Sequence, residues 1–345
     1  MAIAEQAPAP VVAVPKRKER TPLGDAFNQL LKNKLATGSG VFVILLILVA
    51  ILSGYLNAYT LQGFQAELDR TNQAAFAKQT LQDNNARPGQ ASKNPGLEGF
   101  VYWLGADNLG RDLWTRTLYG TRVSIAVALV ASTVSLIIGL GYGVVAGYAG
   151  GRVDDLMMRI VDFLYGLPLI IIVILAQVYF KSLQRQEENA GIVDFILGID
   201  QALGGMFFIF IVLGALSWLG MARIARGQTL SVKRKEYVEA AKATGVKPSR
   251  IIFRQILPNI LGPCIVNETL QIPGYILTEA FLSFIGLGVN APTPSWGIMI
   301  NEAYQGMRSH PFALVPPALA LTLTVLAFNF LGDGLRDAFD PRLRE

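Results

Sequence analysis

Long apolar blocks separated by polar, charged connectors dominate the chain. Residues 35–66, 123–151, 163–180, 201–222 and 309–332 each lack Asp, Glu, Lys and Arg, and a sixth block, 259–286, carries only Glu268 and Glu279. A helix needs about 20 predominantly apolar residues, rising 1.5 Å each, to cross a bilayer. The pattern predicts an all-α membrane protein with six transmembrane helices, at about 36–59, 123–147, 160–180, 204–222, 262–286 and 311–332. The first block starts too late and runs too long for a cleaved signal peptide and is expected to remain as an anchor. Residues 1–22, rich in Ala, Pro and Val and then basic, read as an unstructured tail. The segment 60–98 is polar without a clear period and reads as an outer loop. Apolar positions at 192–197 predict a short helix lying at the bilayer surface.

Charge assigns the sides. Twenty Lys and Arg fall before the first block, within 147–160, within 223–258 and within 333–345, against nine in 60–118, 181–200 and at Arg308. By the positive-inside rule both termini, 1–35 and 334–345, are cytoplasmic and 60–118 is extracytoplasmic. A net charge of +5 distributed this way reflects topology and the lipid bilayer as partner, not nucleic acid. Cys264 and His310 are the only cysteine and histidine, which excludes an intrachain disulfide, a His-based triad and a Cys/His metal site. There is no phosphate loop: 105–111 has glycines but no lysine and no strand-to-helix context. No cofactor or metal is expected, and energy must come from a partner.

Within the blocks, Gly139, Gly143 and Gly147 recur every four residues, so their face suits close helix packing. Pro168, Pro263, Pro273 and Pro316–Pro317 are expected to interrupt spans, as in transporters lined by water. Glu268 and Glu279 are eleven residues apart, about three turns, which sets them on one face of an unbroken helix with Gln271 and Thr278 near the stripe. Intramembrane carboxylates normally face a bundle interior or water. This stripe is read as lining a translocation path; the alternative for Glu279 is an anchor to a neighbouring helix. The spacings Asp155–Arg159 and Arg159–Asp162 suit salt bridges within one helix. Tyr102, Trp103 and Trp296 fit an aromatic belt.

The most informative stretch is cytoplasmic, 236–259. It reads as a short helix stopped near Gly245, a turn through Pro248, and a second helix feeding the membrane, with Ser249 as its N-cap. Small at Ala240 and Ala241 and basic around them, it suits docking into a groove on another protein; the plain alternative is a basic loop that only sets orientation. Glu239-Ala240-Ala241, Gly245 and Leu257-Pro258 at the right distance resemble the EAA motif of ABC importer permeases. Several further stretches resemble the peptide/nickel subfamily. Before and within the second block these are Leu104-Gly105-Ala106-Asp107-Asn108-Leu109-Gly110-Arg111-Asp112, Tyr119-Gly120-Thr121-Arg122-Val123-Ser124, and Ala146-Gly147-Tyr148 with Gly150-Gly151. Later come Leu282-Ser283-Phe284-Ile285-Gly286-Leu287-Gly288, Pro292-Thr293-Pro294-Ser295-Trp296-Gly297, and Leu331-Gly332-Asp333-Gly334-Leu335-Arg336-Asp337 with Asp340-Pro341-Arg342. Residues 25–60 resemble the extra first helix of DppC/OppC-type subunits.

The resemblance implies a type I (MetI-like) permease core over 119–333 plus one N-terminal helix. It implies a coupling role for Glu239, Ala240, Ala241, Gly245, Leu257 and Pro258, and an outer gate or receptor contact at Asp107, Arg111 and Asp112. The implied partners are a homologous permease (DppB/OppB-like), two ATP-binding subunits and an extracytoplasmic solute-binding protein, in the plasma (inner) membrane of a prokaryote. The implied cargo is a di- or oligopeptide, with nickel or another small solute as the alternative. Gln255 departs from the family's usual Ile, and 66–98 and 181–204 look longer than usual. The rival classes are an intramembrane enzyme, for which only the two Glu offer chemistry, and a self-sufficient channel or ion-coupled carrier, which would not need a structured cytoplasmic hairpin.

Overall fold

A computed structural model describes residues 22–184 and 191–339. The segment read as a tail (1–21), the residues Arg185, Glu187 and Glu188, and Asp340, Pro341 and Arg342 lie outside the described residues. Helix α1 (Pro22–Lys32) leads into α2 (Lys34–Leu52), which starts where the Asn33 side chain accepts from the amides of Leu35 and Ala36. Two short helices, α3 (Ala58–Leu61) and α4 (Gln65–Thr71), and a two-stranded antiparallel ribbon of β1 (Gln90–Ala91) and β2 (Val101–Tyr102) precede α5 (Leu113–Ala149). Then come α6 (Gly151–Tyr165), α7 (Leu169–Gln184), α8 (Ile192–Ala202), α9 (Phe207–Lys233), α10 (Glu236–Ala243), α11 (Pro248–Ile251), α12 (Leu257–Phe284), α13 (Trp296–Gln305) and α14 (Val315–Phe339).

Among the described residues four helical stretches are long and apolar enough to cross a bilayer: Lys34–Leu52, Leu113–Ala149, Phe207–Lys233 and Pro311–Phe339. A fifth arises if α6 and α7, which meet at 76°, form one broken span. Helix α12 has the length, but Asn267, Glu268, Gln271, Thr278 and Glu279 dilute its apolar character. On these criteria the expected count of six is not reached. The bend falls at Pro168, whose missing N–H and ring disfavour a continuous helix. Pro263 and Pro273 instead sit inside the unbroken α12, and Pro316–Pro317 occupy the first turn of α14, where no intrahelical N–H bond is lost.

The glycine stripe on α5 faces α9. A Cβ at Gly139 would lie 2.6 Å from the Met221 Cβ and 2.7 Å from the Trp218 carbonyl, and Gly143 and Gly147 meet Ala225 and Thr229 in the same way. Two long helices can approach this closely only where one lacks side chains. Helix α12 packs on α5 and α14, and α2 lies along α14. Two of the three acids of α6 pair across to α9 and not along their own helix: Asp154 accepts from both Nε and an Nη of Arg226 (2.5 and 2.7 Å), and Asp162 from Arg223 (2.7 Å). The expected Arg159–Asp162 pair is therefore replaced, because α9 supplies a fork-shaped guanidinium donor, Arg223, within reach of Asp162.

The segment read as an outer loop is a folded cap with its own core of Tyr59, Leu68, Leu97, Phe100 and Tyr102. The Gln62 side chain bonds both the N–H and the C=O of Val101 (2.8 Å each), acting as a third strand would. Tyr102 and Trp296 are interior, not part of a belt: the Tyr102 hydroxyl meets Thr80 and Asp83, and the Trp296 indole donates to the Thr117 carbonyl. Helix α8 forms where a surface helix is expected, with Leu197 and Asp200 buried.

Candidate functional site: hairpin, cavity and ion network

The 236–259 hairpin is built from two faces of α10. Val238 and Ala241 are buried in a cluster with Leu140, Val144, Ala225 and Ile256, joining the hairpin to α5, α9 and α12. Glu239 and Ala240 point outward, beside Tyr237 and a Phe253 that is 68% exposed. The helix stops in a Schellman turn: the Val246 amide bonds the Ala241 carbonyl (3.1 Å), the Gly245 amide bonds that of Lys242 (3.0 Å), and Gly245 has φ +75°. Pro248 occupies the first turn of α11 and the cap is Lys247, so Ser249 is not the N-cap expected. Between α11 and α12 the chain makes a π turn, Ile252–Ile256, with the Leu257 amide reaching the Ile252 carbonyl. The Pro258 ring would clash with the carbonyl four residues back, and the wider turn relieves that clash. Lys233, at the end of α9, caps the carbonyls of Gly147 and Tyr148, and Lys242 sits 5.8 Å above the Tyr148 ring. The hairpin is thereby tied to the C-terminal ends of α5 and α9.

At membrane depth a cavity of about 370 Å³ opens between α12, α9 and the α6–α7 break. Glu268, Gln271 and Thr278 line it, together with Tyr275, Ser217 and Tyr165. Glu268 is only 3% exposed; its Oε1 accepts from the Tyr275 hydroxyl (2.8 Å) and its Oε2 from that of Ser135 (3.2 Å). Glu279 is placed elsewhere. It is fully buried between α12 and α5, accepting from Ser124 (2.9 Å) and Ser283 (2.6 Å), and does not line this cavity. Both carboxylates thus face α5, through Ser135 and Ser124. Antiparallel packing aligns the eleven-residue spacing on one helix with the same spacing on the other. Tyr275, two turns beyond Glu268, could have been found from the helical period alone.

At the outer end, Asp107, Arg111 and Asp112 sit in one buried region but do different things. The Asp107 carboxylate accepts from the Arg111 Nε (2.6 Å) and from the amides of Leu109 and Arg111. Arg111 and Arg116 both donate to Glu302 Oε2 at 2.8 Å, linking the cap, α5 and α13. Asp112 caps α5 instead, accepting from the amide and the hydroxyl of Thr115 (2.8 and 2.6 Å), while its Oδ1 is buried without a partner. Burial pushes its carboxyl up from 3.8 to about 6, against the Thr115 bonds that favour the charge. Arg116 and Glu302 escape a reading of the sequence because they lie 186 positions apart; lone charges flanking apolar blocks were the only signal. Among the described residues no group of three or more His, Cys, Asp or Glu is placed to hold a metal.

The chain has relatives among known proteins. The family model for the binding-protein-dependent transport system inner membrane component matches residues 139–345, and that for the N-terminal TM domain of oligopeptide transport permease C matches 21–84. The dipeptide transport system permease protein DppC of Bacillus subtilis is 40% identical over 331 residues, covering 95% of this chain and 88% of that protein. The oligopeptide transport system permease protein OppC of Haemophilus influenzae is 43% identical over 253 residues, 73% of this chain and 74% of that one. The glutathione transport system permease protein GsiD of Pectobacterium atrosepticum is 35% identical over 325 residues, 94% and 93%. A helical membrane architecture and this coverage converge: the chain belongs to the family of binding-protein-dependent transport system inner membrane components, as a permease subunit of an ABC importer and not an enzyme.

Proposed function

We propose that this chain forms half of the translocation pathway for di- or oligopeptides and takes its drive from separate ATP-binding subunits through the α10–α11 hairpin. The observation that carries the reading is the two-faced α10. Its buried side, Val238 and Ala241, is fused to the membrane helices, and its outer side presents Glu239, Ala240 and neighbouring aromatics. A partner that grips this face pulls on α5, α9 and α12 together, and ATP need only favour one arrangement of those helices over another. The relatives' names favour peptide cargo over nickel or another solute.

In this reading the other half is a homologous permease, two ATPases bind the hairpins, and an extracytoplasmic solute-binding protein delivers cargo. The complex resides in the plasma (inner) membrane of a prokaryote with both termini cytoplasmic. Gly245, Leu257 and Pro258 shape the hairpin; Glu268, Gln271 and Thr278 line the path; Asp107 and Arg111, with Arg116 and Glu302, hold the outer gate near the receptor, and Asp112 fixes the start of α5 beneath them.

Ala240→Trp tests the coupling surface. Because Ala240 is exposed, the fold should change by no more than about 0.5 kcal/mol. ATP-driven uptake of a labelled dipeptide by the reconstituted complex should nevertheless fall steeply, and deletion of 236–247 should abolish it. Dipeptide uptake by the isolated chain without ATPases would overturn the proposal.

A further inference from the structure

The mid-membrane cavity holds a carboxylate that its surroundings do not neutralise. None of the residues lining it is Lys, Arg or His. The groups that bond Glu268 are hydroxyls: Tyr275, Ser135 and Ser132. Even these are shared. The single Ser135 proton is within reach of both Glu268 and the Ser217 carbonyl (3.2 Å each), and the Tyr275 hydroxyl lies 3.3 Å from the Ser135 oxygen as well. A carboxylate has about four acceptor positions on its two oxygens, so three hydroxyls leave about one for a guest. An intramembrane acid facing a cavity marks a substrate path by default.

We infer that Glu268 receives the α-ammonium group of the transported peptide, with the hydroxyls of Tyr275 and Ser135 holding the carboxylate toward the cavity. This rests on the peptide reading above and deepens it. Every unblocked peptide carries that ammonium whatever its side chains, so one fixed acid recognises a chemically varied cargo. The remaining lining suits such a guest: Gln271, Asn267 and Thr278 offer neutral polar groups to peptide bonds, and Leu213, Val173 and Met221 offer apolar surface. A volume of about 370 Å³ falls within the range of small-molecule sites, roughly 300–1,000 Å³. Glu279, sealed by two serines against α5, has no comparable access.

The test uses the complete importer in liposomes with dialanine as probe, and the receptor-free permease–ATPase complex in detergent with dialanine and N-acetyl-dialanine. Glu268→Gln keeps the shape and one acceptor oxygen, and its amide can donate to the oxygen of the other hydroxyl, so a merely structural role would leave transport largely intact. The expected result is at least a tenfold loss of dialanine uptake, with peptide binding by the separate receptor unchanged. Saturation-transfer NMR should show dialanine, and not its acetylated analogue, bound to the wild-type complex, with that preference lost in the variant. Gln271→Lys, one turn away in the same cavity, supplies an internal ammonium and should mimic the loss while the complex assembles; it decides the matter if Glu268→Gln fails to assemble. Wild-type uptake in both variants, or equal binding of the two probes to the wild type, overturns the inference. Failure of the wild-type importer to take up any dipeptide would instead sink the peptide reading itself.

Discussion

Asp112 illustrates how a single capping residue is pulled two ways. Its carboxylate satisfies orphan donors at the start of α5, yet it is fully buried with one oxygen unpaired. A carboxyl raised from 3.8 to about 6 binds its proton more tightly in the folded chain than in the unfolded one. The sign follows: below pH about 4 both states are protonated and nothing is lost. Stability then declines as pH rises toward 6 and levels off above it, by about 3 kcal/mol for this group. Asn is as good an N-cap and carries no charge. Asp112→Asn should therefore be more stable than wild type at pH 7.5, with the advantage vanishing near pH 4, as read from thermal midpoints across that range. A variant less stable than wild type at pH 7.5 would show that the charge stabilises. The position of Asp112 just before an apolar block marked it in the sequence, but its burial under the cap did not show there. Arg116 and Glu302 were hidden for the same reason: chain folding alone brings distant charges to one point.

Helix pairing is where periodicity gave most. The four-residue spacing of Gly139, Gly143 and Gly147 identified a contact face, though not that α9 fills it. Gly141 lies on the same helix, and a Cβ added there would meet nothing within 4 Å, which makes it an internal control. Gly141→Ala should be neutral or stabilising by up to about 1 kcal/mol through helix propensity. Gly139→Ala forces a methyl against Met221 and the Trp218 carbonyl and should cost about 1–3 kcal/mol. Thermal midpoints of the two purified variants in detergent check this, and equal midpoints would mean that α5 and α9 are not so closely joined. Other elements were less legible. The cap at 57–112 has no hydrophobic period because its core is assembled from single aromatics on short turns, tied by side chains such as Gln62 and Asp83 that stand in for regular ladders. Proline positions marked a true break only at Pro168; in α12 neighbouring helices hold the chain straight enough to continue through Pro273.

At the scale of the molecule, function depends on which end faces which compartment. The folded cap and the Asp107–Arg111–Arg116–Glu302 network occupy one end of the bundle, and the α10–α11 hairpin the other. The excess of Lys and Arg on the hairpin side favours the cytoplasm for it. The native thiol, Cys264, is buried within α12 and should give little background to a charged maleimide. Lys93→Cys on the cap and Lys247→Cys on the hairpin both replace exposed side chains, so neither substitution should disturb the fold by more than about 0.5 kcal/mol. In intact cells, or spheroplasts where an outer membrane exists, the maleimide should label Lys93→Cys readily. It should reach Lys247→Cys only after the membrane is permeabilised. The reverse pattern would turn the molecule over, leave the hairpin out of reach of any cytoplasmic ATPase, and remove the mechanical basis for coupling. Equal labelling of both sites before permeabilisation would mean that the hairpin is reached through the protein, as in an open channel.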